Sequence, residues 1–327
     1  MLLKLILIIV GIALVIWGAD RLTEGASSLA RGMRVPEIII GLTIVAAGTS
    51  APELFVSMVA AFKGTADLAV GNVIGSNIFN TMLIVGCSAL VAPMAVAKST
   101  VKKDIPFAVI AAMLLFMLCF DDMDSPHLWG NEISRSDGFI LLTGFLAFMI
   151  YTFNAAKKEG LMPTPEELDE NSELPKDYSK LWRNLSLIVL GLACLIIGSN
   201  LFVDAASYVA YRYGVRQSVV GLTIVAGGTS LPELATSVVA AYKGRSAIAI
   251  GNVIGSNVFN ILLILGLTAV VHPLRIMGIT IIDLMMMLVS IGLLWLFAFT
   301  KYFVSRREGF VLVAGFLAYM AWLLYLL

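Results

Sequence analysis

Apolar runs dominate the chain, and short polar stretches separate them. Most runs reach or exceed the roughly 20 residues that an α-helix needs to cross a hydrocarbon core. They lack the residue-by-residue alternation of a membrane barrel strand, so the pattern predicts spanning helices. Ten are expected, over residues 3–19, 36–62, 67–91, 103–120, 136–155, 184–205, 216–242, 246–270, 280–300 and 308–326. Composition agrees: of 327 residues, 59% are hydrophobic and 13% charged, with a mean hydropathy of +0.94, which excludes an ordinary soluble domain. The expected class is an all-α polytopic membrane protein whose main partner is the lipid bilayer, with no nucleic acid among its partners.

Net charge is zero, but its distribution carries orientation. With ten crossings, the side holding the N-terminus carries Lys4, Lys63, Arg135, Arg212, Arg216 and Arg275, which is 6 of the 22 Lys and Arg residues; the opposite side carries the other 16. Positive charge collects on cytoplasmic loops. Both termini are therefore expected outside the cytoplasm, in a prokaryotic inner membrane, with the central linker inside. The first apolar run, behind Lys4, has the outline of a signal peptide. Yet Gly11, Gly18, Ala26 and Ser27 match Gly191, Gly198, Ala206 and Ser207 at a constant offset of 180, so this run is expected to be a retained helix of the fold.

That offset belongs to an internal repeat. Residues 41–80 and 221–260 share 28 of 40 positions, and Asp137-Gly-Phe with Gly144-Phe-Leu-Ala returns later as Glu308-Gly-Phe with Gly315-Phe-Leu-Ala. Each half then has five spans. An odd number turns the second half over, giving two inverted repeats, 1–155 and 184–327, around a linker of residues 156–183. Architectures of this kind put a binding site near the membrane midplane, where equivalent elements meet, and support alternating access.

The candidate chemistry lies at the centre of each copy. Gly48-Thr49-Ser50-Ala51-Pro52-Glu53 and Gly228-Thr229-Ser230-Leu231-Pro232-Glu233 each interrupt an apolar span. Proline removes an amide donor and obstructs the carbonyl four residues back. Carbonyls freed at membrane depth must be satisfied by neighbouring side chains or by a cation in a protected cavity. On a continuous helix, Thr49, Ser50 and Glu53 would share a face, as would Ser76 with Asn80 and Ser256 with Asn260. The Gly71-x-x-x-Gly75 and Gly251-x-x-x-Gly255 pairs allow a neighbouring helix to come close. Collected, the groups form an all-oxygen shell suited to hard cations. Two glutamates would offset one calcium ion or be shared among several sodium ions. Unaccompanied, they would be costly in hydrocarbon, so a cation or proton is expected in the site throughout.

Other polar features have structural readings. Cys87, Cys119 and Cys194 lack the spacing of a zinc or disulfide framework and fit packing roles. The acidic run Glu166 to Glu173 lacks the pattern of a helix-loop-helix calcium site and reads as solvated linker. Asp121, Asp122 and Asp124 read as a hydrated loop. Asp104 and Asp283 sit where they favour a helix N-terminus, and Asp20 reads as interfacial.

With its Gly-Thr-Ser-x-Pro-Glu and Gly-Ser-Asn motifs in both halves, the chain resembles the cation/calcium exchanger superfamily. It is most similar there to the small prokaryotic sodium/calcium exchanger-like inner-membrane proteins. The resemblance implies ten helices, sliding gate helices at the first and sixth spans, and three sodium ions competing with one calcium ion. It implies metal ligands from Thr49, Ser50, Glu53, Ser76 and Asn80 and from Thr229, Ser230, Glu233, Ser256 and Asn260. The Ala46 and Ala226 carbonyls would complete the set. Archaeal relatives carry aspartate at the position of Asn260, so this chain is one carboxylate poorer, which leaves the sodium count and the choice of sodium over protons open. The expected function is a calcium/sodium antiporter, with calcium and sodium as cargo and no cofactor. A calcium/proton antiporter using the same glutamates is the alternative. A channel would show flux without countertransport, and an enzyme would need a nucleophile or a histidine-containing metal motif, which the motifs do not supply.

Overall fold

Seven apolar helices are long enough to cross a membrane in the computed structural model, which describes residues 1–33, 35–119, 132–158, 178–214, 226–276 and 278–326. They are α1 (Leu2–Gly32), α4 (Ala66–Val91), α6 (Arg135–Lys158), α7 (Tyr178–Arg212), α10 (Ser246–Val271), α11 (Ile281–Lys301) and α12 (Arg306–Leu326). A bent pair, α2 (Glu37–Thr49) and α3 (Ala51–Phe62), with 45° between its members, is together long and apolar enough to make an eighth. The two further spans expected at 103–120 and 216–242 fall on shorter helices. The first is α5 (Ile105–Leu118), entered through a π-helical turn, Thr100–Asp104. The second is α8 (Ala226–Thr229) followed by α9 (Leu231–Tyr242); residues 215–225 ahead of them lie outside the described residues. The Asp121, Asp122, Asp124 loop and most of the linker lie outside them too. Helix α1 runs to Gly32, well past the expected end at residue 19, because its polar extension is tied down. Asp20 pairs with Lys243 and Arg21, and Ser27 bonds to Glu37, which also takes Arg245 at 3.0 Å.

Helices α4 and α10 form the centre. Of the most apolar stretch in each, 72% and 83% is buried, against 17–33% in α1, α6, α7, α11 and α12. The outer helices turn their apolar faces outward, as a lipid-facing ring must. Helix α1 packs against α7 through glycine, and the contacts run in opposite directions along the two chains. A Cβ at Gly11 would lie 2.8 Å from the Gly198 carbonyl, one at Gly18 2.7 Å from that of Gly191, and one at Gly25 2.9 Å from that of Asn184. The two helices are therefore antiparallel with touching backbones, a separation that only small residues allow. Matching approaches join Gly86 to Gly309 and Gly138 to Gly266.

Two short antiparallel ladders tie connecting segments together. Strand β1 (Met94–Ala95) pairs with β4 (Phe303–Val304), and β2 (Glu132–Ile133) with β3 (Leu274–Arg275). Helix starts repeat the symmetry. Asp137 accepts the Ser134 N–H at 2.8 Å, Glu308 accepts that of Ser305 at 2.7 Å, and Asp283 forms a reciprocal cap with Thr280. Asp283 thus stabilises a helix N-terminus as expected. Its second oxygen holds Tyr319 Oη at 2.7 Å, which fastens α11 to α12.

Candidate ion-binding site

The helical path breaks at Ser50, whose backbone (φ −82°, ψ 5°) leaves helical geometry before α3 begins with Pro52 in its first turn. Ser230 (φ −90°, ψ 10°) makes the same break ahead of α9. Each break puts its glutamate in the first turn of the following helix, where unpaired N–H groups and the helix dipole favour negative charge. Glu53 and Glu233 are both 1% exposed.

Thr49, Ser50 and Glu53 flank a 45° bend in the helical path, and, among the described residues, none of their side-chain bonds joins one to another. Four-residue spacing aligns side chains only along an unbroken helix; here Thr49 ends one helix and Glu53 begins another. The bonds instead cross between halves. Ser50 Oγ donates to Glu233 Oε1 at 3.0 Å, and Ser230 Oγ donates to Glu53 Oε1 at 2.9 Å. The Thr229 hydroxyl interacts with Glu53 and that of Thr49 with Glu233, completing the exchange. Ser230 Oγ also lies 3.2 Å from Ser76 Oγ. The two carboxylates are close enough to repel each other, and the side chains that hold them are neutral hydroxyls.

Several buried atoms of the predicted set have no hydrogen-bond partner among the described residues: Glu53 Oε2, Glu233 Oε2, Ser256 Oγ, Asn80 Oδ1, and both polar atoms of Asn260. A buried polar atom left unsatisfied costs about 1–3 kcal/mol, and five of these six atoms are oxygens, which suit hard cations. Ser256, Asn80 and Asn260 are brought into the same buried centre without bonding to the carboxylates directly. Asn80 and Asn260 sit in π-helical turns, Phe79–Ile84 and Phe259–Leu265, a distortion often found at functional positions. The Ala46 carbonyl accepts the Ser50 N–H at 2.9 Å and lies 3.4 Å from Thr49 Oγ1. Ala226 opens α8.

The close approach expected at the glycine pairs appears in the second copy. A Cβ at Gly251 would lie 2.8 Å from the Ile38 carbonyl, and one at Gly255 2.6 Å from that of Leu42, so α2 rests directly on α10. The segment equivalent to this part of α2 lies mostly outside the described residues. The structure also adds polar residues that the motif reading passed over. Asn72 Nδ2 donates to the Glu53 carbonyl (3.3 Å) and to Ser57 Oγ (3.0 Å); Asn252 Nδ2 donates to the Glu233 carbonyl (3.4 Å) and to Ser237 Oγ (2.9 Å). Asn257 takes Asn80 Nδ2 at 3.2 Å and gives its own N–H to Thr81 at 2.8 Å. Asn72 and Asn252 stand four residues before Ser76 and Ser256, so extending each polar stripe by one turn would have found them.

Residues 3–154 and 184–325 match the sodium/calcium exchanger protein family. The chain belongs to that family. Among relatives, the inner membrane protein YrbG of Escherichia coli strain K12 is 36% identical, covering 100% of this chain and 98% of its own. The sodium/calcium exchanger MaX1 of Methanosarcina acetivorans is 32% identical over 98% of both chains. Among solved structures, that of the sodium-calcium exchanger NCX_Mj soaked with 10 mM Na+ and zero Ca2+ is similar over 98% of both chains, with a TM-score of 0.83 and 29% identity. A sodium/calcium exchanger-like fold, embedded in a membrane and built for ion transport, is thus the architecture of this chain.

Proposed function

We propose that the protein is a secondary antiporter that exchanges calcium for sodium by alternating access in a prokaryotic inner membrane. The observation that carries this reading is the crossed pairing of serine and glutamate between halves. Each half contributes one charge to the site and the hydroxyls that hold the other charge. A shift of one half against the other therefore changes both carboxylates at once. The proposed ligands are Thr49, Ser50, Glu53, Ser76 and Asn80 with Thr229, Ser230, Glu233, Ser256 and Asn260, completed by the Ala46 and Ala226 carbonyls. Oxygen donors with two carboxylates suit calcium, and the same donors suit sodium ions taken in its place. The names of MaX1 and NCX_Mj support these two ions as cargo.

In this reading residues 1–155 and 184–327 are inverted repeats, the linker 156–183 is cytoplasmic, and both termini are outside. The antiparallel packing of α1 on α7, helices that open equivalent halves, supports the inversion. Contacts between connecting segments support ten crossings. Pairing of β1 with β4, of β2 with β3, of Asp20 with Lys243 and of Asp67 with the Gly278 N–H each joins segments that ten crossings put on one face. The name of YrbG supports the inner membrane.

Calcium uptake into proteoliposomes, with sodium and proton gradients imposed separately, tests the reading. An outward sodium gradient at clamped pH should drive uptake, and a pH gradient in sodium-free buffer should not. Uptake driven by the pH gradient alone would make the protein a calcium/proton antiporter instead.

A further inference from the structure

The carboxamides of Asn72 and Asn252 are fixed at their nitrogen ends by the same pair of acceptors in both halves, a glutamate carbonyl and a serine hydroxyl four residues further on. Ser57 and Ser237 are fully buried, as is Asn252. With its NH2 group committed, Asn252 must turn its oxygen the other way, and there Thr49 Oγ1 lies 3.1 Å away. A threonine hydroxyl has a single proton and two lone pairs. To ligate a cation through a lone pair, Thr49 needs an acceptor for that proton other than the carboxylate the cation neutralises. Asn252 Oδ1 is such an acceptor, with the Val45 carbonyl, also at 3.1 Å, as the alternative within α2.

We propose that Asn252 and Asn72 are positioning residues of the ion site. Each clamps the turn that carries its half's glutamate, and Asn252 in addition accepts the Thr49 hydroxyl's hydrogen bond, so that this hydroxyl presents lone pairs to the cation. Asn252 thereby links a ligand of the first half to the glutamate-bearing helix of the second. The inference rests on the exchange reading above. Groups that orient ligands in this way typically change metal affinity about 10–100-fold when removed.

The test is sodium-driven calcium uptake by purified full-length protein in proteoliposomes, read as KM and maximal rate. It uses Asn252→Ala, Asn72→Ala, Thr49→Val, Thr49→Ser, and the double variant Thr49→Val with Asn252→Ala. Asn252→Ala should raise KM for calcium about 10–100-fold, and Asn72→Ala about tenfold, with the maximal rate changed less than KM. In the double variant the two losses should combine to less than their product, because the hydroxyl that Asn252 serves is gone. Thr49→Ser, which keeps the proton, should bring KM most of the way back from its raised value in Thr49→Val. If Asn252→Ala is not recovered folded, Ser237→Ala releases one anchor of the same carboxamide and should raise KM about threefold or more. Unchanged KM in Asn252→Ala, or in Ser237→Ala, would overturn the proposal, and so would losses that multiply fully in the double variant. Absence of uptake by the unmodified protein would instead overturn the exchange reading itself.

Discussion

Replacing Glu53 by glutamine isolates the charge of the site from its shape. The glutamine amide oxygen can accept the bond that Ser230 Oγ now gives Glu53 Oε1 at 2.9 Å, so packing and pairing survive and one negative charge goes. With two carboxylates a calcium ion is neutralised; with Glu233 alone, one positive charge remains in a centre where both positions are 1% exposed. An uncompensated charge at the middle of a membrane helix costs about 2.5–3.5 kcal/mol on insertion scales, equivalent to about 70–400-fold in affinity. Losing one ordinary hydrogen bond would account for about 0.5–1.5 kcal/mol, or about 2–13-fold. Charge therefore dominates. Glu53→Gln and Glu233→Gln should each weaken calcium binding about 70-fold or more, while a monovalent cation, matched by the carboxylate that remains, loses less. The assay is calcium uptake into sodium-loaded proteoliposomes across a range of calcium concentrations, paired with sodium binding to the purified variants. A KM within about threefold of the unmodified protein, in folded samples of both variants, would refute the charge argument.

Gly18→Ala would put a Cβ 2.7 Å from the Gly191 carbonyl and 2.9 Å from the Leu195 nitrogen, where 3.4 Å is an ordinary contact, so α1 and α7 must part by about 0.7 Å (3.4 − 2.7). Overpacking of this kind costs about 1–3 kcal/mol, expected as a lowered Tm in detergent; Gly292→Ala, with no atom of the described residues within 4 Å, should leave Tm unchanged or raise it. Thr280→Ala removes the hydroxyl half of the reciprocal cap on α11 and should cost about 1 kcal/mol, visible in Tm but not in KM for calcium. If three sodium ions leave for each calcium ion entering a vesicle, one net charge moves outward. One elementary charge across 100 mV is worth about 2.3 kcal/mol, so an inside-positive potential of that size, set with potassium and valinomycin, should raise the limiting calcium gradient about fiftyfold. No response would indicate an electroneutral exchange.

Most of the spans and the two motif centres were legible because membrane burial demands long apolar runs, and because a carboxylate kept twice in such runs stands out. Glu53, Ser50, Glu233 and Ser230 were named from this pattern alone, and all four lie in the two crossed pairs. Their cross-pairing was not legible. Sequence spacing reports neighbours along one helix, whereas Ser50 meets Glu233 through tertiary packing after a backbone break. The π-helical turns under Asn80 and Asn260 were hidden because their helices are buried on most faces, so there is no one-sided apolar stripe for an extra residue to shift. Asn72 and Asn252 were visible as polar positions but lie one helical turn ahead of the Gly-Ser-Asn motifs. The length of α1 escaped too, because one partner that holds its polar end, Lys243 against Asp20, lies more than 200 positions away.

The division between clamps and crossed pairs also sets an order of assembly in the membrane. The bonds from Asn72 to the Glu53 carbonyl and to Ser57 close loops of 19 and 15 residues within one half, so they can form as soon as α4 has been inserted. The bond from Ser230 to Glu53 spans 177 residues. At a synthesis rate of about 5–20 residues per second, Ser230 emerges roughly 10–35 s after Glu53. For that interval the first half is a membrane intermediate that carries a glutamate without its hydroxyl partner from the second half. Its local clamp is already complete, and the second half docks onto a carboxylate whose helical turn is in position before the ion site exists.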